Sequence, residues 1–355
     1  MQQLKQTLLR LLDAPGPSGF ENAASEVWRD IAREFADDVW TDVQGNSFAS
    51  NAAEGAPTVM LAGHVDEIGI MVHYIDDEGF LYVRGVGGWD AQVLVGQRIE
   101  LLTRDGPLPG VVGRKAIHLM KPEERTQAVK LSDLWLDIGA ASGDDARRLV
   151  AIGDVGTIRS ETVIIGDTIV VARSVDDRSG TAVVLEALRR LCGRPIAPRV
   201  VAVATTHEEI GAHLGGGART SSFQLNPEVA IVLDVTHATD HPHADKREYG
   251  DVRLGGGPVL SRGAVLNPRL VDGLEEAARR VGTDIQWQAT PSATGTDADD
   301  IFTTRAGIAT ALVSIPNRYM HSPNELVDLR DLDAAAELIA EYLTALDESV
   351  DFSAG

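Results

Sequence analysis

Leu4, Leu8, Leu11 and Leu12 recur at helical spacing, interrupted by Lys5 and Arg10, and predict an amphipathic helix at the start of the chain. In "GPSGFENAASEVWRDIAREFADD", Ser18 and Glu21 have the spacing of a capping box. Val27, Ile31 and Phe35 follow on one helical face. "APTVMLAGHVDEIGIMV" reads as one nearly continuous apolar strand, of the kind buried on both faces of a parallel sheet. The texture then changes. From about Glu67 to Gly166 the chain offers short β-rich runs broken by Gly and Asp-Gly turns, with one possible short helix near 143–151. Such a block fits a small β-barrel or sandwich inserted into the chain. From Asp176 helices and strands alternate: "DRSGTAVVLEALRRL", "APRVVAVATTHEE", "PEVAIVLDVT", "PRLVDGLEEAARRV", "IATALVSIP" and "LDAAAELIAEYLTAL". The expected fold is α/β, a helix-covered and mostly parallel sheet. The expected domains are residues 1–66 plus 167–355, with an inserted β-rich domain over 67–166.

A length of 355 residues exceeds what one hydrophobic core usually organises, which agrees with two domains. No stretch approaches the roughly 20 apolar residues of a membrane span, and the first residues lack the apolar block of a signal peptide. Cys192 is the single cysteine, so an intrachain disulfide and a thiolate metal cluster are both excluded. A cytoplasmic protein is expected. The 53 acidic and 32 basic residues give a formal net charge of −21, which disfavours nucleic acid and anionic membranes as partners. No internal repeat or low-complexity tract is present.

In sheets of this kind, sites collect at the carboxyl ends of the strands. "VMLAGH" ends at His64, with Asp66 two residues on. "VVAVATTHEE" ends at Glu208 and Glu209, and "AIVLD" at Asp234. "ALVSIPNRYMH" leads to His321, and "ARSVDD" sets Asp176 and Asp177 before a helix. Singly, each has an ordinary explanation as a hydrogen-bonded histidine, a helix cap or a solvated pair. Together, five segments deliver a histidine or carboxylate to one rim. Imidazole and carboxylate suit Zn²⁺, Mn²⁺ or Co²⁺ where no thiolate is available. Two histidines and three carboxylates suit two ions, with one carboxylate spanning both and one water shared between them. The adjacent glutamates then divide the work: Glu209 as a ligand has its charge neutralised, and Glu208 beside the water acts as general base.

The segments "GHVDEIG", "SVDDRSG", "THEEIG", "LDVT", "TGTDAD" and "RYMHSPNE" occur in the order seen in the tetrahedral, or TET-type, aminopeptidases, and the chain resembles that family over nearly its whole length. The resemblance implies a dinuclear zinc exopeptidase fold with a PDZ-like inserted domain. His64 and Asp234 would bind one metal, Glu209 and His321 the other, and Asp176 would bridge them. Glu208 would be the general base and acid, and Asp66 would orient His64. Asp177 would follow the bridging aspartate across a cis peptide bond, and Thr296 and Asp297 would lie toward the substrate end of the pocket. Zinc is the expected metal, with cobalt or manganese as alternatives. Subunits would pair through the inserted domain and assemble from dimers into a dodecamer acting on short peptides.

His237, His241 and His243 fall in a loop beyond Asp234 and are read as solvated. His73 and His118 are read as structural, Tyr319 as packing, and His207 receives no role. A related dinuclear amidohydrolase or carboxypeptidase would need a cation for the substrate carboxylate, for which Arg178 and Arg318 are the candidates. A glycosidase would need two carboxylates across a sugar bond, and Glu208 and Glu209 are adjacent instead. A noncatalytic binding module would be marked by missing ligands, and none is missing.

Overall fold

The computed structural model describes residues 1–51, 55–211, 215–347 and 349–353. Its centre is an eight-stranded sheet in the order Asp38–Thr41, Ser47–Ser50, Arg199–Thr205, Thr58–His64, Val229–His237, Ala309–Asn317, Val259–Gly263 and Gln286–Thr290. The four strands Arg199–Thr205, Thr58–His64, Val229–His237 and Ala309–Asn317 run parallel. They are also the apolar runs: Val200 to Ala204 and Val229 to Val232 are fully buried, as β-branched residues between two helical layers should be. Beyond them the sheet is mixed. Ser47–Ser50 and Val259–Gly263 join it antiparallel, and Gln286–Thr290 returns parallel at the far edge.

Helices cover the sheet. Val175–Leu191 is buried along most of its length against the central strands, and Gln2–Asp13 packs on it through Leu4, Leu8, Leu11 and Leu12. Leu329–Ala345 and Pro268–Val281 complete the cover. Each large aliphatic side chain so enclosed contributes about 1.5–3 kcal/mol. Trp28 is fully buried and its indole N–H donates to the Thr181 carbonyl at 3.3 Å, tying helix Asn22–Ala32 to the same core.

The β-rich block forms a closed antiparallel barrel of six strands: Gly69–Ile75, Leu81–Val86, Trp135–Asp137, Gly106–Gly113, Arg98–Thr103 and Val155–Ile158. It has its own core, including Ile70, Leu81, Ile99, Leu101 and Leu136. The short helix Gly143–Leu149 lies where the sequence suggests one. Strands Val163–Ile165, Ile169–Ala172 and Glu325–Asp328 make a separate small sheet.

Two local expectations are corrected. The apolar run from Thr58 to Ile75 is two strands, broken over 65–68, because Asp66 and Glu67 turn inward to polar partners and the chain leaves the sheet for the barrel. Ser18 and Glu21 do not form a capping box: helix Asn22–Ala32 begins three residues later than the pattern suggests. Glu21 is its N-cap residue, but its side chain makes no cap bond.

Candidate metal centre

The parallel register places the strand ends side by side. His64 is paired with Thr205, so the turn carrying Glu208 and Glu209 starts beside His64. Asp234 lies on the neighbouring strand and is paired with Ser314, and the Ala309–Asn317 strand leads on to His321. Asp176 enters at the start of helix Val175–Leu191, where Asp176 and Asp177 are non-helical and joined by a cis peptide bond. All five expected ligands and Glu208 therefore meet at one place. His64, Asp176 and Asp234 are buried, and the His321 side chain is 35% exposed.

Asp176 stands between the two histidines. Its Oδ1 is 3.1 Å from His64 Nε2 and its Oδ2 is 3.4 Å from His321 Nε2. Glu209 Oε2 lies 3.3 Å from His321 Nε2, and Asp234 Oδ1 lies 4.0 Å from His64 Nε2. Ligand bonds of about 2.0–2.2 Å at the tetrahedral angle set donors about 3.4 Å apart, so this donor set fits divalent cations. Donor atoms of His64, Asp176 and Glu209 form one compact group, and those of His64, Asp177 and Asp234 another. Asp177 is fully buried, but its Oδ1 is taken by the Gly180 N–H at 2.8 Å. Among the described residues only Asp176 turns one oxygen toward each of these imidazoles, the geometry that a bridging carboxylate would need.

Asp66 supports the cluster from behind. His64 Nδ1 is 3.3 Å from its carbonyl oxygen and 3.5 Å from Oδ1. Its two carboxylate oxygens accept the backbone N–H of Glu208 at 3.2 Å and of Glu209 at 3.0 Å. One buried carboxylate thus orients a histidine and the glutamate turn together, as the partners of metal-bound histidines do.

Electrostatics agree with a site built for cations. Burial works against charge on His64, but hydrogen bonds to Asp176 and Asp66 hold its imidazole well above the ordinary value. Burial is likewise outweighed at His321, which Asp176 and Glu209 push up to about 11. Asp176, although buried, is held below the usual carboxylate range by His321 and His64. Burial raises Glu208, Asp234 and Glu209, with His64 pulling the first two back and His321 the third. Carboxylates outnumber imidazoles, and the two imidazolium groups hold the positive charge that bound cations would bring.

Other residues marked in the sequence lie as follows. Asp297 is buried and accepts from Thr205 Oγ1 at the strand end, with burial raising it to about 6. Thr296 turns into its own loop, contacting Thr294 Oγ1 and the Ala298 N–H. His237 closes the Asp234 strand in an exposed position, and the rings of His241 and Tyr319 lie 6.1 Å apart. His73 and His118 are exposed. Two contributors escape the sequence reading. Glu325 is buried, and its Oε1 and Oε2 accept the N–H of His321 at 2.8 Å and of Asp176 at 3.0 Å. It closes the motif "RYMHSPNE", but nothing in that motif names its partners. Gly87 and Gly88, in the barrel loop after Leu81–Val86, face the same centre. A Cβ on Gly87 would come 3.4 Å from Glu209 Oε2, and one on Gly88 would come 3.4 Å from His321 Nδ1.

A helix-covered α/β sheet with an inserted closed barrel, gathering histidines and carboxylates at its parallel strand ends, has the donor set of a metallohydrolase. The profile of the M42 glutamyl aminopeptidase family matches residues 45–338, and the chain belongs to that family. A lysyl aminopeptidase of Pyrococcus furiosus is 35% identical to it, over 98% of this chain and 99% of the relative. The TET aminopeptidase of a marine-sediment Thaumarchaeota archaeon superposes with a TM-score of 0.92 at 32% identity, covering 98% of this chain and 97% of that one. The Pyrococcus horikoshii TET1 peptidase, which can assemble into a tetrahedron or a large octahedral shell, gives 0.86 at 30% identity, covering 97% and 100%. The chain is a metal-dependent aminopeptidase, as its motif order predicts.

Proposed function

We propose that this aminopeptidase releases the first residue of short peptides using two divalent cations, zinc in the first instance, with cobalt or manganese able to substitute. The carrying observation is Asp176, whose two oxygens each face one histidine at 3.1 and 3.4 Å. His64 and Asp234 would hold one ion, Glu209 and His321 the other, and Asp176 both. When bound, such a pair supplies an activated water and polarises the scissile carbonyl. Glu208 is the carboxylate of the glutamate turn that this assignment leaves without a metal. Its side chain is 18% exposed, against 5–7% for Asp176, Glu209 and Asp234, and its Oε2 lies 3.9 Å from His64 Nε2. From there Glu208 accepts the water's proton and returns it to the departing amine. Asp66 holds Glu208 and His64 in place.

A carboxylate-rich rim favours the amino end of a peptide over its carboxylate end. The two arginines that a carboxypeptidase or amidohydrolase could use are committed elsewhere. Arg178 is fully buried and donates to the carbonyls of Leu11 and Ala14, and Arg318 pairs with Asp240 at 2.6 Å.

Residues 1–66 plus 167–355 would form the catalytic domain and 67–166 the inserted dimerisation domain. The P. horikoshii TET1 relative, solved as a dodecamer and able to form a tetrahedron or a large octahedral shell, supports reading this chain as a homo-oligomer, with the tetrahedral dodecamer as the proposed assembly. Among the described residues no helix is long and apolar enough to cross a membrane, and a cytoplasmic location is the companion proposal. The test is a panel of aminoacyl-anilides, each beside its N-acetylated twin, with a chelated control. Cleavage of free-amine members alone, abolished by chelation and restored by Zn²⁺ or Co²⁺, is expected. Activity confined to the acetylated twins would assign the chain to the amidohydrolases.

A further inference from the structure

We propose that Glu21 is a positioning residue for the general base, an inference that rests on the reading of Glu208 in that role. Glu21 is buried at the end of the "GPSGFE" segment. Its Oε1 accepts the Gly19 N–H at 2.7 Å and, across 186 residues of sequence, the His207 N–H at 3.1 Å. Asp66 takes the next two amides, those of Glu208 and Glu209. Three successive backbone N–H groups are therefore held by two carboxylates from two different segments.

The hold is needed because the turn is not a relaxed one. His207 has φ +64°, in the left-handed region that a side-chain-bearing residue enters at a cost. Downstream, Gly211 N–H donates to the Glu208 carbonyl at 2.7 Å. Upstream, Thr206 N–H donates to Asn46 Oδ1 at 3.1 Å. Glu21 thus fixes the residue at which the chain reverses into Glu208.

The Glu21 segment is itself anchored beside the histidine turn. Gly16 N–H donates to Glu67 Oε1 at 2.9 Å, and Glu67 N–H returns to the Gly16 carbonyl at 3.0 Å. Ser18 N–H donates to the Glu67 carbonyl at 3.1 Å. The segment 16–21 is a strap with one end on the turn after His64 and the other on the turn before Glu208. The two carboxylates differ in what they reach. Asp66 touches the ligand His64 as well as the glutamate amides, whereas Glu21 contacts none of the five proposed ligands. Removing Glu21 should misplace the base and leave the metals in place.

Three variants test this. A proton-transfer group displaced by about 1 Å can lose on the order of 100-fold in rate. Glu21→Ala is accordingly expected to lower kcat about 10- to 100-fold, with KM and metal affinity unchanged and faster amide hydrogen exchange over 206–209. Glu21→Gln keeps an acceptor oxygen at the same reach and should restore wild-type turnover. Glu21→Asp, too short to reach the His207 amide, should resemble Glu21→Ala and gives the same reading if the alanine variant does not fold. A Gln variant as slow as the Ala variant, or an Ala variant with unchanged turnover, would overturn the proposal. So would loss of metal in step with loss of turnover. Glu208→Gln is run alongside: if it is inactive while Glu21→Ala is normal, the positioning role alone fails, and if it is active, the base assignment fails first.

Discussion

Replacing Glu208 with glutamine removes one proton-accepting oxygen and almost nothing else. The side chain keeps its shape, and its backbone N–H still donates to Asp66 at 3.2 Å. Glu208 is not among the five proposed ligands, and its side chain is more exposed than those of Asp176, Glu209 and Asp234, so the ligand set is expected to stay intact. General acid–base catalysis by a placed side chain is worth about 10²- to 10⁴-fold, which corresponds to about 3–5 kcal/mol of barrier. The variant should therefore lose kcat in that range while binding the same number of metal ions with unchanged affinity and KM. Steady-state hydrolysis of an aminoacyl-anilide, run beside metal analysis of the same preparation, reads both. A variant within threefold of wild type, or one that loses metal and activity together, would refute the assignment of Glu208 as base rather than ligand.

Asp66→Asn keeps one acceptor oxygen where two are in use, and metal affinity should fall about 10- to 100-fold, as read by competition with a chelator. Unchanged affinity would leave Asp66 with a purely structural part. Metal loading at neutral pH should release protons, because His64 and His321 are both held charged in the metal-free protein and must be neutral to ligate. Titration calorimetry in buffers of different ionisation enthalpy would show this, and affinity should weaken as pH falls. In the metal-free protein, His321's raised value gives stability that is complete below the unfolded value near 6.5 and lost as pH rises through about 11, measurable by denaturant unfolding across that window. Arg178→Met leaves the Glu67 carboxylate and the carbonyls of Leu11 and Ala14 without their buried donor. About 3–5 kcal/mol of stability should be lost in urea unfolding, and a loss below about 1 kcal/mol would show that Arg173, which also contacts Glu67, suffices.

The alternation of elements was legible along the chain because burial on both faces writes itself as unbroken apolar runs. Val200–Ala204 and Val229–Leu233 could hardly be anything but central strands. The site was legible for a related reason. In a parallel sheet all carboxyl ends share one rim, so His64, Glu208, Glu209 and Asp234 are neighbours once their strands are. Composition likewise excluded a thiolate metal cluster, since Cys192 is the single cysteine.

Tertiary structure decided what depends on partners far apart in sequence. Nothing local distinguishes a capping-box glutamate from one whose carboxylate turns away to the His207 amide, 186 residues on, as that of Glu21 does. Glu325 is silent in sequence for the same reason, since its worth lies in accepting two amides 149 and four residues away. The approach of Gly87 and Gly88 from the barrel to Glu209 and His321 required the docking of two cores. Periodicity reports which face of an element is buried. Which polar atoms meet inside is fixed only when loops from separate segments close on one another, because a hydrogen bond depends on distances of a few tenths of an ångström that no spacing along the chain specifies.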